Sequence, residues 1–161
     1  VKDVRKSASL WSKKFNIGPF YINEHIKISN TLVNMKKSDF DHSSAYGWRE
    51  NTMIELICDH QIQDIPNNSN SNGIHHIAWI APDFEKEREI LNKKGCEEVL
   101  SANVGHRNGM KFAWFYPGDE VNHFYEIYEK SDDINNFYSF LYEQSKSWKG
   151  ENPVRNISDI N

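Results

Sequence analysis

The sequence of 161 residues lacks several features that would assign it to a familiar class. It has only two cysteines, Cys58 and Cys96, and neither has a CxxC partner or metal-ligand spacing. A disulfide framework and a zinc-cluster fold are therefore disfavoured. It also lacks a concentrated basic block: 19 Lys and Arg stand against 23 Asp and Glu, for a net charge of −4. Nucleic acid is therefore not expected as a partner.

Long hydrophobic runs are missing as well. No run approaches the roughly 18 apolar residues of a membrane span. The first residues, Val-Lys-Asp-Val-Arg-Lys, lack the apolar core of a signal peptide. We therefore expect no membrane partner and a cytoplasmic location. What the chain does have is a 38% hydrophobic and a 13% aromatic fraction, which favour a packed core over disorder.

Two segments follow the periodicity of amphipathic helices. The first begins after Asp3, a suitable N-cap, and is expected to stop at Gly18. The second begins after Asp83 and is expected to close at Gly95. The apolar stripe of the first helix is formed by Val4, Ala8, Trp11 and Phe15.

Strand patterns surround both helices in the same order. A strand-like run, "HIAWIA", precedes the second helix, and "EEVLSANV", "MKFAWFYP" and "HFYEIYE" follow it. After the first helix come "PFYINEHIKI", "DFDHSSAYGW" and "NTMIELIC". The chain therefore indicates a repeated strand-helix-strand-strand-strand unit, with the first strand of the first copy almost absent.

This repetition predicts the domain organisation. We expect one domain over 1–161, with a first βαβββ module at 1–63, an Asn/Ser-rich junction at 64–73 and a second module at 74–130. Residues 131–161 are predicted to form a C-terminal helix and tail. Because neither short copy can bury its own sheet face, the two sheets should pair around one core. The expected class is α+β with a curved mixed sheet.

Three residues could form a metal site. His75 and His76 fall on opposite faces of the predicted strand, while Glu55 and Glu126 occupy equivalent places in the last strands of the two copies. If these strands line one concavity, an imidazole and two carboxylates converge, which suits Mn, Fe, Co, Ni, Zn or Mg. The alternative is a solvent-touching histidine and two water-facing glutamates.

Longer strings resemble a known family. "GIHHIAWIAPDFEKEREILNKKG" followed by "KFAWFYPGDEVNHFYEIYE" resembles the second module of the vicinal oxygen chelate superfamily. This group includes glyoxalase I, methylmalonyl-CoA epimerase, extradiol dioxygenases and bleomycin-resistance proteins. "FNIGPFYINEHI" and "AYGWRENTMIELI" resemble the epimerase-like branch. The resemblance implies paired βαβββ modules with a divalent metal ion in the cup between them.

The resemblance also implies a set of ligands. By position these are His76 and Glu126 from the second module and Glu55 from the first, and His75 is not assigned to the metal. A fourth ligand is expected on the first strand of module one, which would lie upstream of Val1.

The chemistry implied by the resemblance is proton abstraction next to a carbonyl or thioester, with a metal-stabilised enolate. Glu55 and Glu126 would be the catalytic carboxylates, each acting as ligand or as base.

The expected function is a lyase, isomerase or epimerase acting on a small molecule. The alternatives are a non-catalytic binding protein of the bleomycin-resistance type and, less favoured, an extradiol-type dioxygenase. A homodimer is expected by analogy. Weaker candidates for substrate contacts, each otherwise a solvated residue, are His123, His106 and Arg107.

Overall fold

A computed structural model gives the structure of residues 1–60 and 73–160. The described helices are α1 (Val4–Phe15), α2 (Phe84–Lys93) and α3 (Asp132–Ser147), with a 3-10 turn at Ile157–Asp159. None of them is both long and apolar enough to cross a membrane. The strands are β1 (Phe20–Asn23), β2 (Ile28–Val33), β3 (Lys36–Lys37), β4 (His42–Arg49), β5 (Thr52–Asp59), β6 (His76–Ala81), β7 (Glu97–Val104), β8 (Lys111–Tyr116), β9 (Phe124–Glu129) and β10 (Val154–Asn156).

The described strands form two mixed sheets. The four-stranded sheet has the order β10-β1-β4-β5, and the six-stranded sheet has the order β3-β2-β7-β8-β9-β6. In each sheet one pairing is parallel, β1 with β10 and β6 with β9, and the other pairings are antiparallel. The predicted α+β class with mixed sheets is therefore confirmed.

The chain divides into two compact units. The first unit contains residues 1–26, 41–60 and 132–160, and the second contains 27–40 and 73–131. Residues 27–40 carry β2 and β3, which belong to the six-stranded sheet because β2 pairs with β7. The predicted module boundaries stay predictions, and the predicted junction lies outside the described residues except for Gly73.

In the first unit a helix packs on each face of the sheet. The carboxylate of Asp3 accepts a hydrogen bond from the backbone N–H of Lys6 at 2.9 Å, so Asp3 caps α1 as predicted. The helix ends at Phe15, before the expected stop, because Asn16 adopts a left-handed φ of 53°. On the other face α3 makes aromatic contacts. The core beneath α1 contains Val4, Ala8, Ile17, Phe20, Ile22, Ala45, Leu56 and Cys58.

In the second unit α2 packs on one face of the six-stranded sheet. Its N-cap is Asp83, whose carboxylate accepts a hydrogen bond from the backbone N–H of Lys86 at 3.1 Å. This confirms the predicted helix start. Burying the apolar side of α2 leaves the opposite face of the sheet available for other groups. The core beneath α2 contains Ala81, Phe84, Leu91, Ala113, Phe115 and Ile127.

The stretch "PFYINEHIKI" differs from the sequence prediction. The pattern predicts one strand, but β1 ends at Asn23 and β2 begins at Ile28, in the other sheet. The chain turns between them, and His25 adopts a left-handed φ of 50°. This conformation lies outside the β region of backbone dihedral angles.

Candidate functional site

Strands β6 and β9 bring two of the predicted site residues together. They run side by side in parallel, with Ala78 opposite Glu126 in the register. Side chains alternate between the faces of a sheet, so His76, two residues before Ala78, shares a face with Glu126. This face lies opposite the one covered by α2.

His76 and Glu126 form a buried pair. The Nε2 atom of His76 lies 3.1 Å from Oε2 of Glu126, and the two side chains are only 8% and 4% exposed. A carboxylate at such depth is costly to bury unless a cation or hydrogen-bond donors compensate it. The pair is therefore a site of concentrated polarity in an otherwise apolar part of the sheet.

Two neighbouring side chains fix the orientation of this pair. The hydroxyl of Tyr128 donates a hydrogen bond to Oε2 of Glu126 at 2.9 Å. The Nδ1 atoms of His75 and His76 share a hydrogen bond at 2.9 Å. With Nδ1 of His76 engaged in this way, its Nε2 is the atom directed at the carboxylate. Such partners typically orient metal-ligating side chains.

The position of His75 corrects one sequence prediction. Strand alternation predicts that His75 lies on the face opposite His76. Instead its ring contacts Trp114 at 4.8 Å and Phe124 at 5.4 Å between centroids, on the His76 side of the sheet. The reason is that β6 begins at His76, so the alternation of the strand does not extend to His75.

Aromatic rings enclose the pair. The indole of Trp114 stacks on His76, with ring centroids 6.0 Å apart and an interplanar angle of 19°. Phe124 stacks on Trp114 at 6.0 Å and 11°. Trp114 and Phe124 are both buried. Because these rings exclude water, electrostatic interactions at His76 and Glu126 are stronger than they would be at the surface.

The distance between the donor atoms of His76 and Glu126 suits two neighbouring ligands of one divalent ion. Donor atoms at right angles on an ion with bonds of about 2.1 Å lie about 3.0 Å apart. The Nε2 and Oε2 atoms of His76 and Glu126 are separated by 3.1 Å. Without an ion, the same distance suits a hydrogen bond between imidazole and carboxylate. One nitrogen and one oxygen donor are the ligand types that suit first-row divalent metals.

Glu55 lies in the first unit. It is half-buried on β5, opposite Tyr46 of β4, and therefore shares a sheet face with Tyr46. Tyr46 contacts Phe137 of α3 at 5.3 Å between ring centroids. The predicted roles of Glu55 as metal ligand and catalytic carboxylate stay predictions.

The three weaker candidates do not join the His76–Glu126 pair. The ring of His123 lies 5.6 Å from that of Tyr125, which faces α2 on the other side of the sheet. His106 and Arg107 are exposed in the loop between β7 and β8. Their predicted contacts with a substrate stay predictions.

Sequence reasoning missed two residues of the site. The signal for Tyr128 was present, since a residue two positions after Glu126 on a strand lies on the same face. Trp114 required the register of β8 against β9, in which it stands opposite Glu126. That register is a property of the folded sheet.

Comparison with known proteins adds family information. Residues 1–114 match the family model described as Glyoxalase/Bleomycin resistance protein/Dioxygenase superfamily. Among curated protein sequences, none matches the chain.

Several solved structures are similar to this chain. A hypothetical protein from Bacillus halodurans C-125 has 17% identity and a TM-score of 0.51, over 82% of this chain and 89% of that one. A methylmalonyl-CoA epimerase from Streptomyces coelicolor, in complex with 2-nitronate-propionyl-CoA, has 12% identity and a TM-score of 0.48, over 81% and 91%. A glyoxalase family protein from Enterococcus faecalis has 16% identity and a TM-score of 0.31, over 80% and 90%. At 17% identity, the first likeness concerns the fold alone.

Proposed function

Because this chain belongs to the glyoxalase/bleomycin resistance protein/dioxygenase superfamily, we propose that it is a divalent-metal-dependent lyase, isomerase or epimerase. Its substrate would be a small carbonyl or thioester compound, as the resemblance to the epimerase-like branch implies. The observation that carries the proposal is the buried contact of 3.1 Å between His76 and Glu126. A buried imidazole facing a buried carboxylate matches the donor set that this chemistry needs.

The metal would be held first by Nε2 of His76 and a carboxylate oxygen of Glu126. Glu55 is proposed as a further ligand on the family resemblance. The donors suit Mn, Fe, Co, Ni, Zn or Mg, and the choice among these stays open. When bound, the ion would act as a Lewis acid toward an oxygen of the substrate.

The proton step would fall to a carboxylate. A base within hydrogen-bond reach of the carbon next to a carbonyl can remove its proton. Glu126 or Glu55 would take that proton on a carboxylate oxygen, whichever of them is not held as a ligand. The hydroxyl of Tyr128, 2.9 Å from Oε2 of Glu126, would keep that carboxylate in one orientation. His123, His106 and Arg107 remain proposed substrate contacts.

A second candidate function is a small-molecule binding protein without catalysis. It rests on the family resemblance, because the matching family includes bleomycin resistance proteins. An extradiol-type dioxygenase is the third and weakest candidate. The homodimer and the cytoplasmic location expected from the sequence also remain proposals.

The test replaces Glu126 by glutamine, which keeps the size of the side chain and removes its charge. Metal content is measured on the purified protein by mass spectrometry. Activity is measured as deuterium uptake from heavy water into a panel of small acyl thioesters and hemithioacetals. We expect E126Q to lose metal and to slow the exchange by at least about 100-fold, the lower limit for a general base.

The matched control is Glu89→Gln on the exposed side of α2, which should leave both quantities unchanged. Undiminished exchange in E126Q would contradict the proposed chemistry. A wild-type protein that binds members of the panel, yet holds no metal and exchanges no proton, would favour the binding protein.

A further inference from the structure

A second group of metal-ligating side chains lies in the first unit. His25 follows β1, Asp41 precedes β4, and His60 follows β5. One ligand atom from each of these residues lies within 4.8 Å of the other two. Their positions in the sequence are far apart, so no motif reveals the group.

The three side chains lie close to one another. Nδ1 of His25 lies 2.9 and 3.0 Å from the two carboxylate oxygens of Asp41. The rings of His25 and His60 are stacked, with centroids 4.6 Å apart and an interplanar angle of 23°. The two imidazoles and the carboxylate therefore lie close enough to offer ligand atoms to one ion.

The backbone holds His25 in place at a cost. Its φ of 50° is left-handed, a conformation uncommon for residues other than glycine. Its N–H donates to Oγ of Ser43 at 3.0 Å, and the N–H of Ile26 donates to the carbonyl of His42 at 2.9 Å. Strained backbone conformations of this kind cluster at functional sites.

Ser43 also supports the other histidine. Its Oγ lies 2.7 Å from Nε2 of His60, and the residue is only 1% exposed. The backbone N–H of His60 donates to the carbonyl of Asp41 at 3.0 Å. One buried hydroxyl therefore contacts the backbone of His25 and the ring of His60, and its contact with the ring is of the kind that outer partners of metal ligands make. An ion bound at Nδ1 of His60 would leave the hydrogen bond to Ser43 intact.

We propose that His25, Asp41 and His60 bind a divalent transition-metal ion at a site separate from His76 and Glu126. Two imidazoles and one carboxylate suit Zn, Co, Ni, Cu or Fe, whereas Mg and Ca prefer oxygen donors. The side chains of His25 and Asp41 are 68% and 36% exposed, so an ion can enter from solvent. The ion would tie the connection after β1 to the ends of β4 and β5. This proposal does not depend on the proposed function.

The test is a titration of the metal-stripped protein with Zn²⁺ in competition with a chromogenic chelator. The ligand variants are His25→Asn, Asp41→Asn and His60→Ala, with circular dichroism to verify folding. Asparagine is chosen at position 25 because it tolerates a left-handed backbone. Each variant should lose one equivalent of zinc, or bind it at least about 100-fold more weakly. Ser43→Ala should weaken binding about 10- to 100-fold.

The matched control is Glu143→Gln, which changes an exposed carboxylate of the same unit and should keep the wild-type stoichiometry. Glu126→Gln should still bind the equivalent of zinc that His25→Asn loses. This result would distinguish the proposed second metal site from the site of the proposed function. Wild-type zinc binding in His25→Asn and Asp41→Asn would overturn the proposal. So would unchanged histidine ring resonances of His25 and His60 when Zn²⁺ is added to the wild-type protein.

Discussion

Tyr128 donates its hydroxyl hydrogen to Oε2 of Glu126, the same oxygen that lies 3.1 Å from Nε2 of His76. Tyr128 and Glu126 are two residues apart on β9 and therefore share a sheet face. One carboxylate oxygen thus faces both a phenol and an imidazole. The orientation of Glu126 depends on both of them.

Replacing Tyr128 by phenylalanine tests this dependence. The change removes one hydrogen bond to the carboxylate and leaves the ring in place. We expect metal affinity at His76 and Glu126 to fall about 10- to 100-fold, as for other outer partners of ligands. The free energy of unfolding should change by only about 0.5–1.5 kcal/mol. Metal titration and urea unfolding provide the two measurements. Tyr125→Phe, on the opposite face of β9, is the control, and equal affinities in the two variants would refute the positioning role.

The ion pair of Arg88 and Glu98 should contribute more to the stability of the fold than an exposed ion pair on the same helix. The guanidinium of Arg88 donates two hydrogen bonds to the Glu98 carboxylate, at 2.5 and 2.8 Å, and Glu98 is only 7% exposed. These hydrogen bonds raise the pKa of Arg88. Arg88→Ala would leave a buried carboxylate without this partner, so the free energy of unfolding should fall by roughly 1–3 kcal/mol.

The control for this prediction lies on the same helix. Lys93 forms an exposed ion pair with Glu89 one turn away. Exposed pairs of this kind contribute little, so Lys93→Ala should cost about 0.5 kcal/mol or less. Urea unfolding of both variants measures the difference. Equal losses would show that burial of Glu98 does not control the effect.

A larger side chain at Gly47 should destabilise the fold by overpacking the core. A Cβ atom added there would lie 2.6 to 2.9 Å from three ring carbons of Phe20, which is fully buried. The ring has no room to move away, so Gly47→Ala should lower the free energy of unfolding by roughly 1–3 kcal/mol. Gly73→Ala, where a Cβ meets no atom of residues 1–60 or 73–160 within 4 Å, should be neutral within about 0.5 kcal/mol. Thermal or urea unfolding decides between these outcomes, and a neutral Gly47→Ala would show that the ring can shift.

The two cysteines should differ in reactivity. Cys58 is buried, and burial raises the pKa of its thiol. Cys96 is partly exposed. Since the thiolate is the reactive form, Cys96 should react first with a disulfide reagent at pH about 8. In Cys96→Ser, the reaction of Cys58 should be slow and should accelerate as the pH rises toward the raised pKa. Equal rates for the two thiols at pH about 8 would contradict this prediction.

Much of the second unit could be predicted from the sequence. The bounds of β6 follow from the apolar run after His76, and the carboxylate of Asp83 marks the start of α2 as a helix cap does. These features depend on local preferences, which the sequence carries directly. The sequence predicts His76 and Glu126 as site residues from their places in two predicted strands. The structure contains both strands and brings the two side chains together.

Other features depend on pairing across long stretches of chain. The turn between β2 and β3 places Asn34 and Met35 at φ of 48° and 62°. Hairpin turns with both residues left-handed usually carry glycine, so methionine conceals the signal. The group of His25, Asp41 and His60 assembles only when three connections meet at one end of a sheet. A local sequence pattern therefore cannot predict this group.

The placement of β2 and β3 in the second unit has a consequence for the protein during its synthesis. β2 pairs with the short β3 directly after it, but its other neighbour is the distant β7, and the outer neighbour of β1 is β10. A ribosome adds about 5–20 residues per second, so the edge of β2 emerges several seconds before β7 exists. Neither sheet can close on the nascent chain until distant segments have been translated. We therefore expect folding to be slow and each sheet to be completed only after β7 and β10 have been translated, since pairing between distant segments slows folding.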